Sequence, residues 1–191
     1  MLVNNHPLAD IIQSVPDAPP SLSLVGSNLD LAQTTLQVAS RPFWGALLRA
    51  ALSPVLARFR YIVIDCPPNL DALTINALVA ASEVIIPVDM GAFSLRGTSK
   101  LLETMRSLQP LNTTISAPRF LACRAKANTL SESVKSDLLQ AYGGRLFDTV
   151  IREAVVVGKA QYNSQPLHLF APSSTAARDY EALVKEIINN A

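Results

Sequence analysis

The sequence predicts an α/β fold, a mostly parallel sheet with helices on both faces. Three observations predict it. Short apolar runs alternate with helix-period segments along most of the 191 residues. The runs "YIVID" (61–65) and "EVIIPV" (83–88) are apolar throughout rather than alternating, as strands covered on both faces are. The segments between the runs are long enough to be crossover helices.

The elements follow in order. Residues 1–20 are weakly patterned, and "PDAPP" (16–20) is a loop. "LSLVG" (22–26) is a short strand, and Asn28 caps a helix over 29–39. A longer helical region spans 42–59, with a break and restart at Ser53-Pro54 because proline suits a first helical turn and not an interior. "YIVID" is the next strand. "LDALTINALVAA" (70–81) is apolar on most sides and reads as a buried helix. "EVIIPV" is a strand, and Ser94 precedes a helix striped by Leu95, Thr98, Leu101, Leu102, Met105 and Leu108. "RFLAC" (119–123) is a strand. The helix over 129–144 has a capping-box pattern at Thr129 and Glu132, with Gly143 as C-cap. "DTVI" (148–151) and "PLHLF" (166–170) are short strands. The last helix, 176–189, carries Ala177, Tyr180, Val184, Ile187 and Ile188 on one face. No repeat or linker divides the chain, so one domain over 1–191 is expected.

Composition narrows the function classes. The chain is 49% hydrophobic, and a net charge of +1 gives no overall drive toward nucleic acid or membrane. Its apolar runs are too short to span a bilayer, and its start lacks the pattern of a secretory signal. Two Cys without CxxC spacing and two His argue against zinc, so Cys66 and Cys123 are expected as buried free thiols in a reducing cytosol. Phe43, Trp44 and His168 are expected to be core residues.

Asp65, Asp89 and Arg124 follow or end apolar strands, where ligands of such sheets sit. An Asp at a strand end can hold the hydration shell of Mg²⁺, and Pro67 and Pro68 would stiffen the turn behind it. The competing role for Asp65 is to close that turn or cap the helix near Asp71. Arg124 could meet a phosphate, pair with an acidic neighbour or stand in solvent.

The stretch "YIVIDCPPNLDALTINALVAASEVIIPVDMGAFSLRGTSKLLETM" resembles the middle of a ParA/MinD-type ATPase. In these deviant-Walker P-loop proteins, a Walker B strand leads into D-x-P-P, a helix, a strand of type V-x-I-P, and a further helix. The resemblance runs from about Leu22 through "LFDTVI" and "PLHLFAPSSTAARDYEALVKEI". It implies a P-loop NTPase-like three-layer fold and a nucleotide site in which Asp65, with Cys66, Pro67 and Pro68, faces ATP and reaches Mg²⁺ through water. It also implies a cytoplasmic or nucleoid-associated protein that acts in plasmid or chromosome partition or cargo positioning. Such a protein works as a homodimer, or here as a heterodimer with a ParA-type ATPase, with a ParB-like partner. Nonspecific DNA would be held by Arg145, Arg152, Lys159, Arg178 and Lys185. A membrane-binding tail is not expected.

The 191 residues depart from the family pattern in one large way. No GxxxxGK[ST] stretch occurs in them; Gly158-Lys159 is followed by Ala160 and has Glu153 five residues before it. The family's P-loop strand and the strand after it are therefore expected to be absent, leaving exposed sheet edges. Either a fragment of a longer protein or a variant that gave up hydrolysis would explain this, the fragment being favoured. Arg124 also stands about where the family has an aromatic, and Gln161 where it has a base-contacting Pro, which puts purine binding in doubt. Ser94 and Arg96 fall near the helix that approaches the dimer interface in the family.

Overall fold

A computed structural model describes residues 6–16, 18–19, 21–27, 35–91 and 98–189. Its contacts divide the chain into two compact units. Unit one is Met1–Ser82 with Leu101–Ile115, and unit two is Glu83–Lys100 with Ser116–Ala191.

Unit one is mainly helical. A 3-10 turn at Leu8–Ile11 precedes a small antiparallel pair, β1 (Gln13–Ser14) with β2 (Ser23–Leu24). Helix α1 (Thr35–Ala39), a 3-10 turn (Trp44–Ala46) and α2 (Leu47–Leu52) follow. At Ser53 the α-helix gives way to a 3-10 helix, Ser53–Arg58, with Pro54 in its first turn. Proline has no N–H to give, and that position needs none. Leu8, Leu52 and Val55 form the core with Leu48, Phe59 and Ile64 against them.

Helix α3 (Ala72–Ala80) is capped by Asp71, whose Oδ1 accepts from the amides of Leu73 at 2.9 Å and Thr74 at 3.1 Å. Such a cap satisfies donors that a helix start leaves open. Asn76 is fully buried in this helix. Its amide donates to the Trp44 and Ala72 carbonyls at 2.7 and 2.8 Å and accepts from the Leu48 N–H at 3.1 Å. Asn112 is buried likewise and donates to the Leu78 and Ala81 carbonyls at 2.9 and 2.7 Å. Two polar side chains thus serve as cross-links where the pattern alone suggests apolar packing. Helix α4 runs Thr98–Leu108.

Unit two holds a parallel sheet in the order β3 (Ile85–Asp89), β4 (Arg119–Ala125), β5 (Leu146–Arg152). Helix α5 (Thr129–Tyr142) packs on β4 and β5; α6 (Val155–Tyr162), α7 (Leu167–Phe170) and α8 (Thr175–Asn189) follow. Leu121, Phe147, Ile151 and Leu183 are the core, with Cys123 and Ile187 against them. Glu186 of α8 accepts from the amides of Asp148 and Thr149, both at 2.9 Å, and from Arg119 at 3.0 Å. Burial works against its ionisation, but these hydrogen bonds win and its pKa is lowered. No described helix is long and apolar enough to cross a membrane.

Several expectations need correction. Residues 61–65 form no strand among the described residues, and Val63 is 92% exposed. An apolar run becomes a strand only when a neighbour supplies the ladder. "PLHLF" forms the short helix α7 rather than a strand, with the carbonyl of its N-cap Pro166 accepting from the Leu169 and Phe170 N–H groups at 3.0 and 2.9 Å. Asn128, and not Thr129, caps α5, accepting from the Ser131 N–H at 2.9 Å. Helix α8 buries Ala176, Asp179 and Leu183, while Tyr180, Val184 and Ile188 face out. Phe43 is 89% exposed, His168 is exposed, and of the two free thiols Cys66 is exposed and Cys123 half-buried. The expected cap at Asn28, most of the helix below it, Ser94, Leu95 and Arg96 lie outside the described residues.

Candidate functional site

Two places carry the chemistry, one in each unit. In unit one, Asp65 ends the apolar run and is exposed. Cys66, Pro67 and Pro68 lead from it into a turn closed at its far end by α3. There the Asn69 side-chain amide donates to Asp71 at 3.0 Å and the Thr74 hydroxyl to the Asn69 carbonyl at 2.7 Å. The capping role that competed for Asp65 therefore falls to Asp71. Burial, with Asp65 and then Asp71 nearby, pushes the Cys66 thiol up, so it is a poor nucleophile.

One exposed carboxylate on a stiffened turn suits Mg²⁺ held through its own waters. It does not make a protein cage. Among the described residues no three His, Cys, Asp or Glu side chains come together to hold a metal. No phosphate-cradling Gly-rich loop stands in the 191 residues beside it.

In unit two, the carboxyl ends of all three strands converge on Arg124. Sheet register slips between Cys123 and Ala125, so Arg124 is the extra residue of a bulge, with φ of 55°. Left-handed backbone at a bulky residue is costly and persists only where surroundings fix it. Here the bulge turns the guanidinium across the sheet end. It donates to Asp89 of β3 at 2.9 Å and to Glu153 just after β5 at 3.2 Å. Lys126 reaches the other oxygen of Glu153 at 3.1 Å. Hydrogen bonds from Lys126 and then Arg124 hold the Glu153 carboxyl below its usual range, while Glu153 and Asp89 raise Arg124. Of the roles open to Arg124, the acidic pairing is what the fold uses. A cleft of about 750 Å³ opens beside it, lined in part by Met90, Ser131, Lys135 and Arg152.

Cys123 sits against this carboxylate end, and burial followed by Asp89 pushes its thiol to about 11. The Arg124 clamp could be glimpsed in the sequence only as a charged residue at a strand end. Its partners Glu153 and Lys126 carried no signal there, because a bulge cannot be read from apolar pattern.

The basic residues expected on DNA all lie in unit two and are unevenly engaged. Arg152 is held by Asp179, through its Nε at 2.9 Å and its own backbone N–H at 3.1 Å. Lys185 pairs with Glu181 at 2.7 Å. Arg145 lies over the rings of Tyr142 and Phe120 at 5.5 and 5.6 Å. Lys159 and Arg178 are exposed.

Comparisons with known proteins agree on the family. The family model described as an AAA domain matches residues 1–117. The sporulation initiation inhibitor protein Soj of Bacillus subtilis is 32% identical over all of this chain, which spans 75% of Soj. An uncharacterized Mycobacterium tuberculosis protein is 34% identical over 88% of this chain, which spans only 54% of that relative's length. Among solved structures, apo McdA of Cyanothece superposes with a TM-score of 0.83 at 20% identity, covering 97% of this chain and 75% of that one. A putative plasmid partition protein of Borrelia burgdorferi bound to AMPPNP also gives 0.83 at 20%, covering 100% and 72%. These likenesses carry the fold, a three-layer α/β fold of the P-loop NTPase kind. The extent and identity of the Soj match go further, and the chain belongs to the ParA/MinD-type partition ATPase family.

Proposed function

We propose that this chain is the greater part of a single ParA-like domain, acting in plasmid or chromosome partition or in cargo positioning. The observation that supports this reading is the Soj likeness along the whole chain, with Asp65 exposed on the turn that leads to α3. In it, Asp65 holds a water of Mg²⁺, and Cys66, Pro67 and Pro68 shape the turn beside the ATP phosphates. Mg²⁺, when bound, neutralises phosphate charge. The phosphate loop comes from outside these 191 residues, and the chain alone does not hydrolyse ATP. The working form is a cytoplasmic or nucleoid-associated dimer, with a ParB-like partner and no membrane.

Joining the P-loop segment of Soj upstream of this chain tests the reading. The extended chain should release phosphate from ATP, and Asp65→Asn should lower the rate about 100-fold, as loss of a group that orients a metal does. An extended chain that keeps its full rate after Asp65→Asn would rule out the assigned role.

DNA binding rests on Lys159 and Arg178, with Arg145 adding less, because Arg152 and Lys185 are already held in ion pairs. Replacing both with Glu should flatten the salt dependence of DNA retention by about two counterions. An unchanged slope would remove this surface from the account.

One observation favours a second reading. Arg124 stands where an aromatic is expected against a base and is tied to Asp89 and Glu153. A non-catalytic module that binds a full-length ParA-type ATPase would have no use for an open base site. Mixing the chain with Soj on a sizing column separates the two: a co-eluting heterodimer without nucleotide favours the module, and no shift at about 10 μM counts against it.

A further inference from the structure

Between Asp65 and the first anchored point of its turn, Asn69, the chain reads Cys66-Pro67-Pro68. Each proline ring fixes its own φ. Each proline also disfavours helical backbone at the residue before it, and both Cys66 and Pro67 precede a proline. The segment is therefore a stiff arm. Whatever fixes its far end also aims Asp65.

That end is Asn69, which is exposed and yet held at two points by the first turn of α3. The Thr74 hydroxyl donates to the Asn69 carbonyl at 2.7 Å. The Asn69 side-chain amide donates to Asp71 Oδ2 at 3.0 Å, while Oδ1 of the same carboxylate caps the helix. The helix is itself fixed from within. Asn76 ties it to the Trp44 carbonyl and the Leu48 N–H, and Asn112 ties its Leu78 carbonyl and the Ala81 carbonyl just past its end. Buried amides thus hold the helix, and the helix holds Asn69.

The Thr74 bond is the one that capping does not explain. Asp71 alone accepts from the Leu73 and Thr74 amides, and the Thr74 hydroxyl satisfies no open amide of α3. Nor does the Asn69 carbonyl need it for want of water, since Asn69 is exposed. Thr74 is 7% exposed, so its hydroxyl is committed to this one partner on the arm.

We propose that Thr74 is a positioning residue for Asp65, acting through Asn69 and the two prolines. The proposal rests on the Mg²⁺ role given to Asp65 above. The carboxylate is then aimed before a hydrated cation arrives, and binding need not order the turn.

Backbone ¹⁵N relaxation of the 191-residue chain without nucleotide tests the stiffness. The amides of Cys66 and Asn69 should show order parameters of about 0.85, as rigid backbone does. Thr74→Val removes the hydroxyl and keeps the shape, and should bring both below about 0.6. Thr74→Ser should keep them high. Asn69→Gly, at an exposed site, should loosen the turn as Thr74→Val does. The chain extended by the Soj P-loop segment tests the purpose. There Thr74→Val should raise the Mg²⁺ concentration for half-maximal ATP binding about tenfold, and Thr74→Ser should restore it. ATP affinity without Mg²⁺ should not change, whereas general damage to the fold would lower it too. Low order parameters in the unaltered chain, or an unchanged turn in Thr74→Val, would overturn the proposal. A Mg²⁺ requirement that rises with Asp65→Asn but not with Thr74→Val would overturn it and leave the metal role standing. If Asp65→Asn leaves that requirement unchanged, the metal role falls and the proposal with it.

Discussion

Asp179 shows how one carboxylate ties a helix to a strand. It lies on the inward face of α8, is only 8% exposed, and takes hydrogen bonds from the Arg152 side chain and backbone. Those bonds hold its carboxyl below the usual 3.8. A depressed folded pKa adds stability that is complete above about 3.8 and lost as pH falls through the folded value. Asp179→Ala should therefore cost about 1–3 kcal/mol at pH 7 in urea unfolding, and the cost should shrink as pH falls below about 3.8. Asn112→Ala should cost a similar amount with no such pH dependence, because it orphans two neutral carbonyls. At Arg124 the backbone and side chain pull apart. Arg124→Gly relieves the left-handed strain and loses the clamp, whereas Arg124→Ala loses the clamp and keeps the strain. The Gly variant should have the higher urea midpoint, and the reverse order would mean that the bulge is not strained.

Elements were legible where period and punctuation agreed. Helix α3, the strands β3, β4 and β5, and the change of helix type at Ser53-Pro54 follow from apolar runs and from proline. Three misreadings have physical causes. "PLHLF" has a strand's composition, but at four residues a proline N-cap decides for a helical turn. "YIVID" has a strand's composition but no described strand pairs with it, and pairing is not a local property. In α8, period alone could not choose between two apolar stripes. The sheet took the one carrying Leu183, with Asp179 made tolerable there by Arg152. Leu183→Ala should accordingly cost about 2–5 kcal/mol. Val184→Ala, 51% exposed, should stay within about 0.5 kcal/mol by the same unfolding measurement. Equal costs would mean that the inward stripe is misassigned.

Across the whole molecule, the candidate site was legible in the sequence as a set of strand ends and not as an arrangement. Asp65, Asp89 and Arg124 could be named from position. That Arg124 is bound to Asp89 and Glu153 could not, because it depends on a bulge. The family was legible because its motifs recur in order, and the Soj match covers the chain from end to end. The central claim is that the Asp65 turn is one half of an ATP–Mg²⁺ site whose phosphate loop lies outside these residues. Calorimetric titration of ATP with and without Mg²⁺ tests it most directly, on the 191-residue chain and on that chain extended upstream by the Soj P-loop segment. The account predicts no binding to the chain alone at about 1 mM ATP, and Mg²⁺-dependent binding to the extended one, weakened about tenfold by Asp65→Asn. Tight Mg²⁺-dependent binding by the chain alone, or a folded extended chain that binds no ATP, would contradict it.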